Sequence, residues 1–421
     1  MNQTTDKKLI RKNIILQSLD SGIFMSGMVF FHQMTILVAL IQKLYDSPII
    51  VSLISAIFFI GYNLPGLFTT RLAERFRYRK KFIATCGFIQ RLFVICMALS
   101  LSLLDTLGPK PTAVLILIFY ACFSSIGGFY NATWIDFCGK TIPVNFRART
   151  NAIRTAIAGI GGILAPPLID VLLLHYAFPN NYQFVILIGA VLLFMSFICF
   201  IQIKEVEPSP PVKKKDTRTY FASLIAVLRT DTNFVKFLLT QILLSVSECG
   251  AAFYTYFALN TFDPSLVNKS TVVFYTLLLN IGFSASGIVI GYIGDKLGNL
   301  QVARLGAFIS LSTLLIVSFF PAPANLYLVF LLVGISTNAR LNSFQVILTE
   351  FGDAKSRIRY TTLATALAGA SFGVMPFLGG IFLDIVKIKF TTLFVFSALF
   401  ALLALLSFTY IVKDPRTRRY S

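Results

Sequence analysis

Residues 291–300, Gly-Tyr-Ile-Gly-Asp-Lys-Leu-Gly-Asn-Leu, form a short polar stretch between two long apolar runs. Apolar residues dominate from about Thr271 to Gly294 and again from about Val302 to Phe320. A helix of about 20 apolar residues is long enough to cross the hydrocarbon core of a bilayer. The acid, the base and the glycines between the two runs therefore predict a tight turn that joins two membrane-spanning helices.

A degenerate copy of this stretch occurs in the first half of the chain, at residues 70–81, Thr-Arg-Leu-Ala-Glu-Arg-Phe-Arg-Tyr-Arg-Lys-Lys. The second copy has an acid, a base and glycines at Gly291, Asp295, Lys296 and Gly298. The first copy keeps only charged positions, which are Glu74, Arg75, Arg79 and Lys80. Both copies resemble the loop signature of the major facilitator superfamily, in which a glycine is followed by an acid, a base, a second glycine and further bases.

This resemblance implies an all-α integral membrane protein of twelve transmembrane helices, arranged as two pseudo-symmetric six-helix bundles. We expect a first bundle over residues 1–203, a cytoplasmic linker with a short amphipathic helix over 204–233, and a second bundle over 234–421. The halves also repeat in sequence, since Arg147 and Arg149 correspond to Arg357 and Arg359. Duplicated halves of this kind are typical of secondary transporters.

The composition independently favours a membrane protein. The chain has 421 residues, of which 56% are hydrophobic and 13% charged, whereas soluble domains carry about 25% charged residues. The net charge of +19 is compatible with nucleic-acid binding, but its distribution along the chain argues against that class. Of the 37 Lys and Arg residues, 30 fall in loops on the side of the N-terminus and 5 in loops on the other side. This bias predicts that both termini are cytoplasmic.

Four charged residues fall inside the apolar runs, where each costs about 2.5–3.5 kcal/mol on insertion scales unless it is paired or faces water. They are Asp20, Arg91, Glu248 and Arg340. By the resemblance, Glu248 and Arg340 lie on helices that line the central cavity, so we predict that they form a substrate or coupling pair, or else a structural ion pair. Asp20 and Arg91 lie at similar depths on helices 1 and 3, and we predict a structural ion pair.

Polar residues on the predicted cavity helices are further candidates for contacting a solute, although such side chains also bridge helices. They are His32, Asn131, Asn338, Asn342 and Gln345. The resemblance also implies a conformational latch on the cytoplasmic side, formed by the signature loops and by basic residues that follow helices 4 and 10. Its predicted members are Glu74, Arg75, Arg147, Arg149, Gly291, Asp295, Lys296, Gly298, Arg357 and Arg359.

The expected function is secondary active transport of a small organic solute by alternating access, with protons as one form of coupling. The sequence leaves uniport, symport and antiport open, and the alternatives are a transport-inactive receptor or scaffold and a membrane-embedded lipid enzyme. No motif indicates catalysis, a cofactor or a metal site, and the six cysteines show no metal-binding spacing. We expect a monomer in a bacterial inner membrane, with solute, protons and lipid as partners and no nucleic acid.

Overall fold

The computed structural model describes residues 3–66, 78–205, 217–351 and 357–416. Every regular element among these residues is helical. In the first half they are α1 (Gln3–Met28), α2 (Ile36–Leu44), α3 (Pro48–Asn63), α4 (Arg79–Ser100), α5 (Leu104–Leu107), α6 (Pro109–Thr141), α7 (Val144–His175) and α8 (Asn180–Ile201). The predicted all-helical membrane fold is confirmed.

The second half begins with α9 (Thr217–Thr230), which packs Leu224 and Val227 into an apolar core. The role of residues 204–233 as a linker between two bundles remains a prediction. The following helices are α10 (Thr232–Ala251), α11 (Tyr254–Thr261), α12 (Lys269–Leu297), α13 (Asn299–Phe319), α14 (Pro323–Glu350), α15 (Arg357–Ala364), α16 (Ala370–Asp384) and α17 (Phe390–Leu406). A π-helical turn at Thr365–Gly369 joins α15 to α16, and a second one at Ser407–Ile411 follows α17.

Eleven helical segments of the described residues are long and apolar enough to cross a membrane. The expected helix 2 is represented by the shorter apolar helix α3, and the rest of its predicted range, to Ala73, lies mostly outside the described residues. The count of twelve therefore remains a prediction.

The chain divides into two compact units, one of residues 1–46 and 61–212 and the other of residues 47–60 and 213–421. This division runs through α3, whereas we expected all of α3 to belong to the first bundle. In the first unit α1 packs on α7 and α8, and α4 packs on α6 and α8. In the second unit α14 packs on α12 and α13, and α10 packs on α16 and α17.

Helices α12 and α14 approach each other through a reciprocal pair of glycines. A Cβ atom added to Gly282 would lie 2.1 Å from the carbonyl oxygen of Leu331, and one added to Gly334 would lie 2.1 Å from that of Leu279. Only glycine fits at this distance, because the two backbones are almost in contact. Small residues at such crossings replace the hydrophobic driving force that is missing between helices in lipid.

Candidate functional site

Glu248 on α10 and Arg340 on α14 form an ion pair inside the second unit. The Arg340 Nε atom lies 3.8 Å from the Glu248 Oε1 atom, and their side chains are only 9% and 14% exposed. The Arg340 guanidinium also lies over the ring of Phe372 on α16, 4.3 Å from its centroid. The geometry brings together the two residues that we predicted as a substrate or coupling pair, and that role remains a prediction.

Hydroxyl groups extend this pair toward α13. The Ser310 hydroxyl donates a hydrogen bond of 3.4 Å to Glu248 Oε1, and the hydroxyls of Ser310 and Ser336 are 2.7 Å apart. Ser336 also donates to the carbonyl oxygen of Gly306, at 3.1 Å. These groups border a small cavity with room for about one water molecule. Six of its nine lining residues are polar, and the full set is Ser247, Glu248, Ala251, Ser310, Thr313, Leu314, Val333, Ser336 and Thr337.

Three polar residues of α14 occupy different environments. Asn338 is buried, and its amide donates to the carbonyl oxygen of Phe283 at 2.6 Å and to the hydroxyl of Ser286 at 3.0 Å, so it bridges α14 to α12. Asn342 donates to the side-chain oxygen of Asn338. Gln345 is exposed. The donors of Asn338 are therefore already used within the protein, whereas Gln345 presents its amide outward.

In the first unit, Asp20 and Arg91 are connected through Ser196 on α8 rather than by direct contact. Ser196 donates to Asp20 Oδ1 at 2.7 Å and accepts from Arg91 Nη2 at 3.0 Å. Arg91 also donates to the backbone carbonyls of Leu193 and Gly87. Ser196 thus links α1, α4 and α8, whereas we predicted a direct ion pair between Asp20 and Arg91.

His32 lies where the first transmembrane segment is interrupted, after a 3₁₀ turn at Val29–Phe31 and before α2. Its Nδ1 atom lies 3.3 Å from the backbone nitrogen of Met34 and 3.3 Å from the hydroxyl of Thr35. These contacts cap the break, which gives His32 a structural task apart from any contact with a solute. Asn131 is half-buried on α6.

The predicted latch is only partly visible. Glu74 and Arg75 lie outside the described residues, as does the side chain of Arg357. Asp295 is exposed and makes no ion pair within the described residues, and Lys296 lies over the ring of Tyr292. Of the basic residues, Arg149 is exposed and Arg359 is half-buried.

Arg147 donates to the carbonyl oxygens of Gly139 and Ile142 and so fastens the turn between α6 and α7. Of the signature glycines, Gly291 has no atom within 4 Å of an added Cβ, whereas Gly298 has a φ of +101°. The latch remains a prediction.

The turn at Gly298 has a partner that the sequence did not reveal. Arg416 donates to the carbonyl oxygen of Leu297, at 3.4 Å, and pairs with Asp414 at 2.9 Å. Burial raises the pKa of Asp414, but the hydrogen bonds and charge of Arg416 outweigh it, so the pKa lies below its ordinary value. The segment after the last helix is thereby attached to the end of α12.

A pair of hydrogen bonds recurs at equivalent places in the two units. Asn13 on α1 donates to the carbonyl oxygen of Lys204 and accepts from its backbone nitrogen, at 3.0 and 3.1 Å. Asn233 on α10 does the same with Lys413, at 2.8 and 2.9 Å. We call these two arrangements the asparagine clasps. A sequence comparison of the two halves could have found these clasps. Lys204-Glu205 follows the sixth predicted helix, and Lys413-Asp414 follows the last one.

Comparisons with solved structures identify membrane transporters of the same fold. A mutant of the nucleoside transporter NupG matches with a TM-score of 0.70 and 13% identity, over 95% of this chain and 100% of that one. A D-xylose-proton symporter matches with a TM-score of 0.64 and 13% identity, over 99% of both chains. A POT family transporter in complex with 5-aminolevulinic acid matches with a TM-score of 0.64 and 13% identity, over 97% of this chain and 96% of that one.

The family itself is identified from the sequence. No curated protein matches the chain. The model of the Major Facilitator Superfamily, by contrast, matches residues 19–299 and 267–421, which together cover nearly all of it. The chain therefore belongs to the Major Facilitator Superfamily, whose members are transporters rather than enzymes.

Proposed function

We propose that this protein moves a small organic solute across the membrane by alternating access, and that Glu248 couples this movement to protons. The observation that carries the proposal is the buried Glu248–Arg340 pair beside a cavity lined with hydroxyl groups. An intramembrane ionisable residue is by default a candidate for a substrate or proton pathway. The fold of a secondary transporter supports the same function.

Arg340 has two partners in the structure, the carboxyl group of Glu248 and the ring of Phe372. Arg340 keeps the aromatic face of Phe372 as a second partner when Glu248 is neutral. Within the described residues no other charged group pairs with Glu248, and the nearby Tyr254 hydroxyl donates to Thr313.

The test uses purified protein in vesicles that contain a pH-sensitive dye. The solutes are uridine, D-xylose and 5-aminolevulinate, which represent the compounds named for the structural neighbours. We expect at least one solute to drive proton entry in the parent protein. Glu248→Gln should abolish proton entry while preserving the exchange of bound solute at constant pH.

Asp263→Asn is the matched control, because this acid is exposed in the loop between α11 and α12 of the same unit. It should leave proton entry unchanged. If Glu248→Gln transports with the pH profile of the parent, Glu248 does not couple protons. If the parent protein neither transports nor exchanges any of the three solutes, the proposal that it transports these solute classes is wrong.

A further inference from the structure

Arg154 on α7 is a cation inside the first unit. It is one of the 30 Lys and Arg residues that we assigned to loops on the side of the N-terminus. It lies ten residues after Val144, about 15 Å along the helix. Its side chain is half-buried, whereas Arg149, five residues earlier, is exposed. The backbone of Arg154 packs against α1, since its carbonyl oxygen would lie 3.1 Å from a Cβ atom added to Gly22. The residue therefore belongs to the helix-packed part of the unit.

No acidic residue neutralises Arg154 within the described part of the chain. Its electrostatic partners are the phenol of Tyr62 and the thiol of Cys138, both neutral groups at pH 7. The one buried acid nearby, Asp20, is already connected to Arg91 through Ser196. This polar cluster thus carries one more positive than negative charge.

Three further acids among the described residues of the first unit are occupied or distant. Asp136 pairs with Arg79 and Lys140, and Glu205 accepts from the backbone nitrogens at the start of α4. Asp170 is sixteen residues along α7 from Arg154, about 24 Å away. A half-buried cation without an acidic partner is costly to maintain, so it is expected to have a function.

The thiol of Cys138 connects Arg154 to further polar side chains. Asn131, Trp134 and Cys138 share one face of α6, because they follow the spacing of three and four residues. Gln17 on α1 reaches the Cys138 thiol, while its Oε1 atom is buried and accepts no hydrogen bond within the described residues. The Arg154 guanidinium and the unused Gln17 acceptor thus both lie near the thiol of Cys138.

We propose that Arg154 binds the anionic group, a carboxylate or a phosphate, of the solute that this protein transports. Arginine suits this task, because its guanidinium forms two parallel hydrogen bonds with such groups. The proposal rests on the proposed transport function and names the class of its solute, a small organic anion. Gln17 supplies an acceptor for a donor group of the same ligand.

Trp134 provides the measurement, because it is the only tryptophan in the chain and lies one helical turn from Cys138. Its fluorescence is titrated in nanodiscs of purely zwitterionic lipid, which excludes lipid headgroups as the anion. The charged probes are 5-aminolevulinate, succinate and inorganic phosphate, and the neutral probes are uridine and D-xylose. We expect a saturable change with at least one charged probe and none with the neutral probes.

Arg154→Gln should weaken this binding on the order of tenfold or more, and Arg154→Lys should weaken it less, since Lys keeps the charge but not the paired hydrogen bonds. Arg11→Gln removes an exposed charge of the same unit and should bind as the parent does. Thermal unfolding without ligand shows whether each variant is folded. If Arg154→Gln is not folded, the comparison with the parent uses Arg154→Lys instead.

The proposal is overturned if no charged probe gives a saturable change, or if the variants at Arg154 bind as tightly as the parent. It is also overturned if a neutral probe binds in both the parent and Arg154→Gln. These outcomes are separate from the transport test. Uptake of a neutral solute would overturn the anion site alone, whereas anion binding without any transport would overturn the proposed function alone.

Discussion

At the scale of single residues, Arg340 shows how one side chain can have two partners of different kinds. It lies close to the carboxylate of Glu248 and over the ring of Phe372 at the same time. A desolvated cation–π contact contributes on the order of 2 kcal/mol. Arg340 would therefore keep part of its stabilisation if Glu248 became neutral, as the proposed proton coupling requires.

The two signature glycines Gly291 and Gly298 should respond differently to substitution by alanine. Gly298 has a φ of +101°, and an added Cβ would collide with Arg416 at 1.6 Å. Backbone strain of this kind costs about 1–3 kcal/mol. We expect Gly298→Ala to lower the thermal unfolding temperature of the purified protein and to release Arg416 from α12.

Gly291→Ala is the control, because Gly291 is helical and an added Cβ meets nothing within 4 Å. It should leave the unfolding temperature unchanged or raise it slightly, since alanine favours a helix by about 1 kcal/mol over glycine. Equal effects of the two substitutions would show that the positive φ of Gly298 does not constrain this turn.

Residue spacing allowed part of the candidate site to be predicted. The fixed rise of a helix gives depth, so Glu248 could be placed near Arg340 and Asp20 near Arg91. The spacing of residues along a helix gives neither the rotation of the helix nor the rotamers of its side chains. The position of Ser196 between Asp20 and Arg91 was therefore not predictable. Arg154 was missed for a related reason, since a charge near the end of an apolar run looks like a loop residue until the helix bounds are known.

At the scale of elements, the two asparagine clasps should contribute unequally to stability. Asn13 is buried at 3% exposure, whereas Asn233 is half-buried and its hydrogen bonds are exposed. Removing a buried partner leaves a backbone group unsatisfied, which costs about 1–3 kcal/mol. We expect Asn13→Ala to lower the thermal unfolding temperature more than Asn233→Ala does.

Substitution by aspartate separates the role of the acceptor from that of the donor. Asn13→Asp keeps the oxygen that accepts from Lys204 but loses the donor to its carbonyl, so its effect should fall between the parent and Asn13→Ala. An unfolding temperature of Asn13→Ala equal to that of the parent would mean that the clasp does not hold the end of the sixth predicted helix.

The interruptions of the first and seventh predicted helices were not predictable from the pattern. The apolar runs predict continuous helices over residues 13–44 and 234–259, but the structure breaks them at Val29–Thr35 and at Ala252–Phe253. The first break contains the polar residues His32, Gln33 and Thr35 and the second is apolar, but neither contains a proline or a glycine to signal the end of a helix. The breaks occupy equivalent places, because His32 and Ala252 are separated by the same offset as Asn13 and Asn233.

At the scale of the whole molecule, the charge bias predicts where each end of the chain lies. Both termini and residues 204–233 should be cytoplasmic, since loops rich in Lys and Arg stay on that side. A reporter fused after Ser421 and a second one inserted between Pro208 and Pro211 should both register as cytoplasmic in cells. The control insertion, between Asp263 and Pro264, should register on the opposite side.

A reporter after Ser421 that registers outside would contradict the even number of crossings. An insertion at Pro208 that registers outside would contradict six crossings in the first half. Composition was enough to predict a membrane fold, because lipid imposes apolar helices on any sequence, whereas the two signature loops predicted the two-bundle fold through their resemblance to the family. The grouping of residues 47–60 with the second unit depends on packing between distant helices, which neither feature encodes.

The row of hydroxyls beside Glu248 has an electrical consequence. Either Ser310 or Ser336 can donate in the bond that they share, and the row ends at a carboxyl group on one side and at the Gly306 carbonyl on the other. An ionised Glu248 orients both hydroxyls toward itself, whereas a neutral one allows both to point toward Gly306. If Glu248 takes up a proton, as we propose, the local dipole reverses without movement of a helix, and a nitrile label on α13 would register that reversal as a vibrational Stark shift.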